Sequence, residues 1–160
     1  MDDIVKKKIV IGAAAAGIEL KEELKEMMDE EGVEYEDVGL NSTDDDTYYP
    51  TVAGRVAEKI IESDYEKNGI IICGTGIGVA ITANKYPKIY AAQVYDTYAS
   101  ERASLSNDAN VITLGSRITG PVLAKKIVKE WLGLEFVPGR STPKLKEIYA
   151  IERNNLKGIE

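Results

Sequence analysis

Gly69-Ile70-Ile71-Ile72-Cys73-Gly74-Thr75-Gly76-Ile77-Gly78-Val79-Ala80-Ile81-Thr82-Ala83-Asn84-Lys85 is the stretch whose reading decides the fold. Ile70 to Cys73 form a short apolar run without alternation, the pattern of a strand in a parallel sheet covered on both faces. Gly74, Gly76 and Gly78 punctuate its exit, and apolar residues resume at helical spacing with Ile77, Ala80, Ile81 and Ala83. A strand, a tight glycine turn and a helix N-terminus gather free backbone N–H groups around one point. Cys73 and Thr75 stand at that point, so the stretch reads as an anion-stabilising pocket with a thiol at its mouth.

The same alternation of strand and helix extends in both directions. Residues 8–12 read as a first buried strand, Ala13 to Gly17 as a small-residue turn, and residues 18–31 as an amphipathic helix with Leu20, Leu24, Met27 and Met28 inward, stopped by Gly32. A short second strand over 34–39, with Tyr35 and Val38 as its apolar residues, leads into a polar loop at 41–48. Pro50 fits the first turn of a helix over 51–63 whose apolar positions are Val52, Val56, Ile60 and Ile61. Beyond the central motif come a strand at 89–94, a helix at 97–106 and a strand at 111–115. A further helix opens at Thr119-Gly120-Pro121, with Val122, Ile127, Val128, Trp131 and Leu132 as its buried set. The tail, 138–155, reads as a turn and a last helix carrying Leu145, Ile148 and Ile151.

Five strands alternating with helices imply an α/β domain with a parallel sheet and helices on both faces. Ligands of such open sheets bind beyond the carboxyl ends of the strands. The five exits are Ala13 to Gly17, the loop before Tyr49, Cys73 to Gly78, Tyr95-Asp96 and Ser116-Arg117.

At 160 residues the chain is long enough for one domain, 1–160, with a substantial core. Its net charge of −7 argues against a non-specific nucleic-acid surface, and the acidic runs at 19–36 and 44–46 read as solvated faces. A single cysteine makes no internal disulfide, and without a Cys/His cluster no zinc site is expected. Histidine is absent, which removes the usual imidazole base and metal ligand. Residues 1–8 lead straight into the first strand, with an apolar run too brief for a signal-peptide core. Nothing approaches a membrane span, so a cytoplasmic location is expected.

Gly74-x-Gly76-x-Gly78 lacks dinucleotide spacing, and no Gly-Lys-Ser/Thr ending marks a nucleotide loop, so no cofactor is expected. A helix N-terminus favours the thiolate form of a cysteine beside it. Thr75 adds a hydroxyl, and the glycine turn adds donors for a developing oxyanion. A base facing such a hole suits proton abstraction next to a carbonyl, the chemistry of aldose–ketose isomerisation.

Ile72-Cys73-Gly74-Thr75-Gly76-Ile77-Gly78 followed by Ala83-Asn84-Lys85 resembles the active-site signature of the ribose-5-phosphate isomerase B and galactose-6-phosphate isomerase family. Gly12 to Gly17 with Leu20-Lys21, Tyr49-Pro50, Asn107 to Val111, Leu114 to Arg117 and Gly139-Arg140 continue the likeness in order and spacing. The resemblance implies a three-layer α/β/α fold, a five-stranded parallel sheet of order 2-1-3-5-4, and a homodimer or homotetramer with shared active sites, the segment 138–156 packing on a neighbour. It implies a phosphorylated sugar substrate, Cys73 as the base moving a proton between C1 and C2, and Thr75 with the turn Gly74, Gly76, Ile77 and Gly78 holding the enediolate oxygens. It further implies that Asn107 contacts the sugar and that Arg117 and Arg140 bind the phosphate across the dimer interface. Lys144 stands where the family has a third arginine, keeping the charge without the planar fork.

The departures are as specific. The family's first-loop Asp-His is Ala14-Ala15 here, its ring-opening histidine is Ser106, and the histidine after Gly-Arg is Ser141. Three readings follow. One is an active isomerase of an acyclic four-carbon sugar phosphate, which needs no ring opening. Another keeps a pentose or hexose phosphate, with Tyr95, Ser106 or solvent replacing the histidine. Here Ala15-Ala16-Gly17 resembles an A-type galactose-6-phosphate isomerase subunit, which opens a hetero-oligomer, whereas Cys73 is closer to the B type. The last is a non-catalytic relative that binds sugar phosphates.

Overall fold

A computed structural model describes residues 7–156. The reading of residues 1–6 as a lead into the first strand, and residues 157–160 of the expected domain, lie outside the described residues. The elements run β1 (Lys8–Ala13), α1 (Ile18–Glu30), β2 (Tyr35–Asp37), α2 (Tyr49–Glu62), β3 (Lys67–Cys73), α3 (Ile77–Ala83), β4 (Ala91–Gln93), α4 (Thr97–Leu105), β5 (Val111–Gly115), α5 (Pro121–Leu132) and α6 (Thr142–Leu156). The sheet order is β2-β1-β3-β5-β4, and every pairing is parallel. This is the order the family likeness implied.

The three central strands are built around the chain's buried apolar runs, and alternation along them sorts side chains between two cores. Ile9, Ile11, Ile70, Ile72, Ile112 and Leu114 face one core with α1, α4 and α5. Val10, Ile71, Cys73 and Val111 face the other with α2 and α3. The edge strands β2 and β4 are three residues each, shorter than the sequence suggested. An edge strand has one neighbour to pair with, and both runs hold polar residues (Glu36, Asp37, Gln93) that a covered strand excludes.

Helix faces carry the remaining differences. Val122 is 76% exposed, not part of the buried set, because the inward stripe of α5 is Ala124, Ile127, Val128 and Trp131. Ala124 lies two positions on from Val122, and two positions turn the helix to its opposite side. In α3 the buried residues are Val79 and Ala83, while Ile77 and Ile81 face outward. In α6 only Leu145 is buried, and Ile148 and Ile151 are exposed. Helix α6 meets the amino ends of the strands instead: the Tyr149 ring lies 5.2 Å from that of Tyr90, and Glu152 accepts from the Lys88 N–H at 2.7 Å.

One lysine is wholly enclosed. Lys21 of α1 donates to the Leu40 carbonyl at 2.5 Å and to Asn41 Oδ1 at 2.9 Å, and pairs with Asp37 at 2.9 Å. Burial alone would raise the Asp37 carboxyl, but hydrogen bonds from Lys21, Lys25 and the Gly39 N–H hold it below its ordinary value. This cross-tie fixes the exit of β2 against α1 at the carboxyl end of the sheet.

Candidate active site

Cys73 ends β3 opposite Gly115 of β5, so two strand exits leave the sheet side by side. The Ser116 N–H donates to the Cys73 carbonyl at 2.9 Å and the Arg117 N–H to the Gly74 carbonyl at 3.0 Å. The exits touch closely enough that a Cβ on Gly115 would lie 2.6 Å from the Thr75 carbonyl carbon. Gly76 has φ +78° and its N–H donates to Cys73 Sγ at 3.0 Å. The thiol itself is buried, 7% exposed, in the core shared with Ala14 and Val79.

The carbonyls of the turn are occupied. Thr113 Oγ1 donates to the Gly76 carbonyl at 2.7 Å, and Gln93 Nε2 to the Thr75 carbonyl at 2.8 Å, with the Tyr95 hydroxyl 3.5 Å from the same oxygen. The Ile77 N–H reaches Thr75 Oγ1 at 3.3 Å. Among the described residues the Gly74 and Thr75 N–H groups have no acceptor. Fixed carbonyls and unspent N–H groups around a sulfur make a preorganised anion cradle. The sequence singled out the turn but missed its braces. Thr113 was detectable as a lone polar residue inside the run Val111-Ile112-Thr113-Leu114, since a buried hydroxyl needs a partner.

Two more groups close on the turn. The Tyr49 ring covers Gly78, where a Cβ would lie 2.5 Å from Cε2. The Arg117 guanidinium covers Gly74, with NH1 3.2 Å from the place of a Cβ. Arg117 thus reaches the cradle of its own chain, whereas the family likeness had brought it across an interface. Ser116 Oγ donates to the Ala16 carbonyl at 2.7 Å and ties in the first loop, which presents only methyl groups.

Asn107, Arg140 and Lys144 are elsewhere. Helix α4 runs back down the sheet, so Asn107 lies in the turn before β5, close to where the Asn110 carbonyl accepts from the Gly69 N–H at 2.8 Å. With a rise of about 3.3 Å per strand residue, that turn is the length of β5 away from Cys73. Arg140 and Lys144 follow α5, whose end lies beside the start of β1, where Lys7 Nζ donates to the Trp131 carbonyl at 2.8 Å. All three are exposed at the amino end of the sheet. Ser106, the counterpart of the ring-opening histidine, is at that end too.

A cleft of about 630 Å³ opens beside Ser116 and Arg117, but Glu19, Glu22, Glu23 and Glu26 form its other wall. That wall repels a phosphate. Neither this cleft nor a cavity of about 500 Å³ at the amino end of the sheet is lined by Cys73 or Thr75. Among the described residues no group of three or more His, Cys, Asp or Glu side chains is placed to hold a metal ion, and no helix is long and apolar enough to cross a membrane.

Comparison with known proteins gives a consistent result. The model of the family described as Ribose/Galactose Isomerase matches residues 9–148. D-erythrulose-4-phosphate isomerase 2 of Mycolicibacterium smegmatis is 45% identical over 91% of this chain and 97% of its own length. Ribose-5-P isomerase B of Listeria innocua is 43% identical over 92% of this chain and 99% of its own. Among solved structures, ribose-5-phosphate isomerase B from Mycoplasma genitalium with bound ribulose-5-phosphate superposes with a TM-score of 0.88 at 31% identity, covering 94% of this chain and 99% of that one.

Proposed function

Since this chain belongs to the ribose/galactose isomerase family, we propose that it interconverts the aldose and ketose forms of a four-carbon sugar phosphate through an enediolate, with Cys73 as the base. The coarser statement, an isomerase of phosphorylated sugars, follows from the relatives that match nearly the whole chain. It leaves the non-catalytic alternative behind.

The observation that carries the finer reading is the turn around Cys73 in a chain with no histidine: the Gly76 N–H is on the sulfur at 3.0 Å, and two further N–H groups are unspent. Cys73 takes the C2 proton of the aldose and the electron pair moves toward O1. The Gly74 and Thr75 N–H groups and the Thr75 hydroxyl stabilise the resulting oxyanion, the O2 hydroxyl proton passes to O1, and the sulfur returns its proton to C1 as the C2 carbonyl forms. Gly76, Ile77 and Gly78 hold this geometry. An aldotetrose phosphorylated at O4 has no hydroxyl left to close a five-membered ring, so Ser106 in place of an acid–base histidine costs this substrate nothing. The first loop, reduced to Ala14 and Ala15, fits a shorter substrate with fewer hydroxyls to satisfy. The relative named for erythrulose 4-phosphate supports the same substrate class.

Arg117 is the phosphate ligand within the chain. Asn107, Arg140 and Lys144 complete the site from the amino end of a second subunit, which fits a thiol cradle that lines neither of the two cavities described above. The assembly is thus a homodimer or a multiple of one.

A panel of four-, five- and six-carbon sugar phosphates tests this reading. Turnover of erythrose and erythrulose 4-phosphates well above that of ribose 5-phosphate is expected. Ordinary turnover of ribose 5-phosphate with none on tetrose phosphates would favour the second reading, in which the Tyr95 hydroxyl beside Thr75 serves ring opening.

A further inference from the structure

Gln93 is the last residue of β4 and stands in register with Thr113 of β5. Paired residues of neighbouring strands point to the same face of a sheet, and here both reach the turn beyond Cys73. They take successive carbonyls: Gln93 Nε2 donates to that of Thr75 at 2.8 Å, and Thr113 Oγ1 to that of Gly76 at 2.7 Å. A carbonyl only accepts, so the Gln93 amide presents its NH2 group there.

The two carbonyls belong to different peptide units, and those units have different tasks. The Thr75–Gly76 unit carries at its other end the N–H that donates to Cys73 Sγ at 3.0 Å. The Gly76–Ile77 unit instead aims its N–H at Thr75 Oγ1, at 3.3 Å. A trans peptide unit is planar, with its C=O and N–H pointing in opposite directions. Fixing the Thr75 oxygen on one side therefore aims the Gly76 N–H on the other. The two preceding units have their carbonyls held by main chain, from the Ser116 and Arg117 N–H groups. Gln93 thus holds the unit whose N–H is on the sulfur. Among the described residues the other donor near that oxygen is the Tyr95 hydroxyl, at 3.5 Å.

That unit needs holding. Gly76 has φ +78°, and glycine adopts positive and negative φ about equally readily. Rotating the Thr75–Gly76 plane by half a turn leaves an allowed glycine and turns the Thr75 carbonyl, in place of the N–H, toward the sulfur. A carbonyl oxygen facing a thiolate is repelled, whereas an N–H given to a charged acceptor is the stronger class of hydrogen bond. The Gln93 bond selects the second arrangement. It also polarises the peptide it holds, since hydrogen bonds in a chain strengthen one another.

We infer that Gln93 is a positioning residue for the base: it locks and polarises the Thr75–Gly76 peptide so that the Gly76 N–H stays on the Cys73 sulfur. The inference rests on the reading of Cys73 as the base of a sugar-phosphate isomerisation, and deepens it. Gln93 then acts on proton transfer and not on substrate binding.

The test combines amide NMR and steady-state kinetics on the full-length protein. Gln93→Met keeps the length of the side chain and removes the donor, whereas Gln93→Glu sets a charged acceptor against the carbonyl. In Gln93→Met the Gly76 amide resonance is expected to move and its hydrogen exchange to quicken, with kcat about tenfold lower and KM unchanged. Gln93→Glu is expected to go further on both counts, and both variants to keep the circular dichroism of the parent. A parental kcat in Gln93→Met, or a loss expressed in KM alone, would overturn the inference. So would a fall in kcat that only tracks a fall in folded protein. The NMR arm needs no substrate, which separates the two readings. A displaced Gly76 amide in a protein that isomerises no sugar phosphate would support the brace and overturn the isomerase reading alone. An unmoved amide in an active enzyme would overturn the role of Gln93 alone.

Discussion

The Gly76 N–H faces the Cys73 sulfur across 3.0 Å from a left-handed backbone at φ +78°. A side chain at 76 meets two obstacles, that backbone conformation and the Leu114 carbonyl carbon 2.9 Å from any Cβ. The obstacle is main chain, so it has no rotamer to give way. Gly76→Ala is expected to lower stability by about 2 kcal/mol in urea denaturation and to reduce turnover with it.

Cys73→Ala removes the proposed base and leaves a methyl in a well-filled core. Circular dichroism is expected to match the parent, while isomerisation falls by about 10²–10⁴-fold. Exchange of the substrate C2 hydrogen with solvent, followed by NMR, is expected to vanish in parallel. Exchange at the parental rate would assign the base to another residue.

Gly78→Ala poses a softer problem. Its Cβ would collide with the Tyr49 ring at 2.5 Å, and a ring, unlike a strand, can be removed. Gly78→Ala alone is expected to destabilise by about 1–3 kcal/mol, and Gly78→Ala with Tyr49→Ala by less than the sum of the two single changes. Additive losses in the double-mutant cycle would show that the ring does not press on position 78.

Thr113→Val keeps the shape of a buried strand residue and deletes the hydroxyl on the Gly76 carbonyl. The expected loss is about 1 kcal/mol of stability, with a fall in kcat greater than any change in KM, and Thr113→Ser restoring both. A change confined to stability would make Thr113 a fold residue alone.

Lys7 supplies a pH signature. Burial holds its ammonium down to about 8, although Glu135 and Asp108 pull the other way. An unfolded lysine titrates near 10.5, so between the two values the unfolded chain binds a proton the folded chain lacks. Stability therefore rises with pH across that window, by roughly 2 kcal/mol between pH 8 and 10, and is insensitive to this group below it. Lys7→Met is expected to flatten that rise in urea melts. Above about pH 10 the raised phenols act in the opposite sense.

The parts of the fold that were legible in the sequence are those where one physical demand acts alone. β5 occupies the span read from Val111 to Gly115, because a strand covered on both faces admits little but apolar residues. Where demands compete, the reading blurred. Val122, Ile77 and Ile81 are apolar, and hydrophobicity alone does not tell a core face from an outward one. At the site, Cys73, Thr75 and the three glycines were legible because a turn advertises itself locally. Tyr49, Gln93 and Thr113 were not singled out for their roles, since each reaches the turn from another strand exit or strand. The position of Asn107 was implicit in the connectivity: a helix after β4 must return to the amino end before β5 can run parallel.

That return has a consequence for how the protein works at low abundance. β5 places Gly115 beside the thiol at one end and the Asn107 turn at the other, with Arg140 and Lys144 on the Asn107 side. On the proposed reading, no isolated chain carries a whole site, and only encounter between chains creates one. Specific activity then declines on dilution, with rate growing as the square of chain concentration in the most dilute samples and linearly once pairing is complete. Synthesis and turnover of the chain would set its catalytic output more steeply than they set its amount.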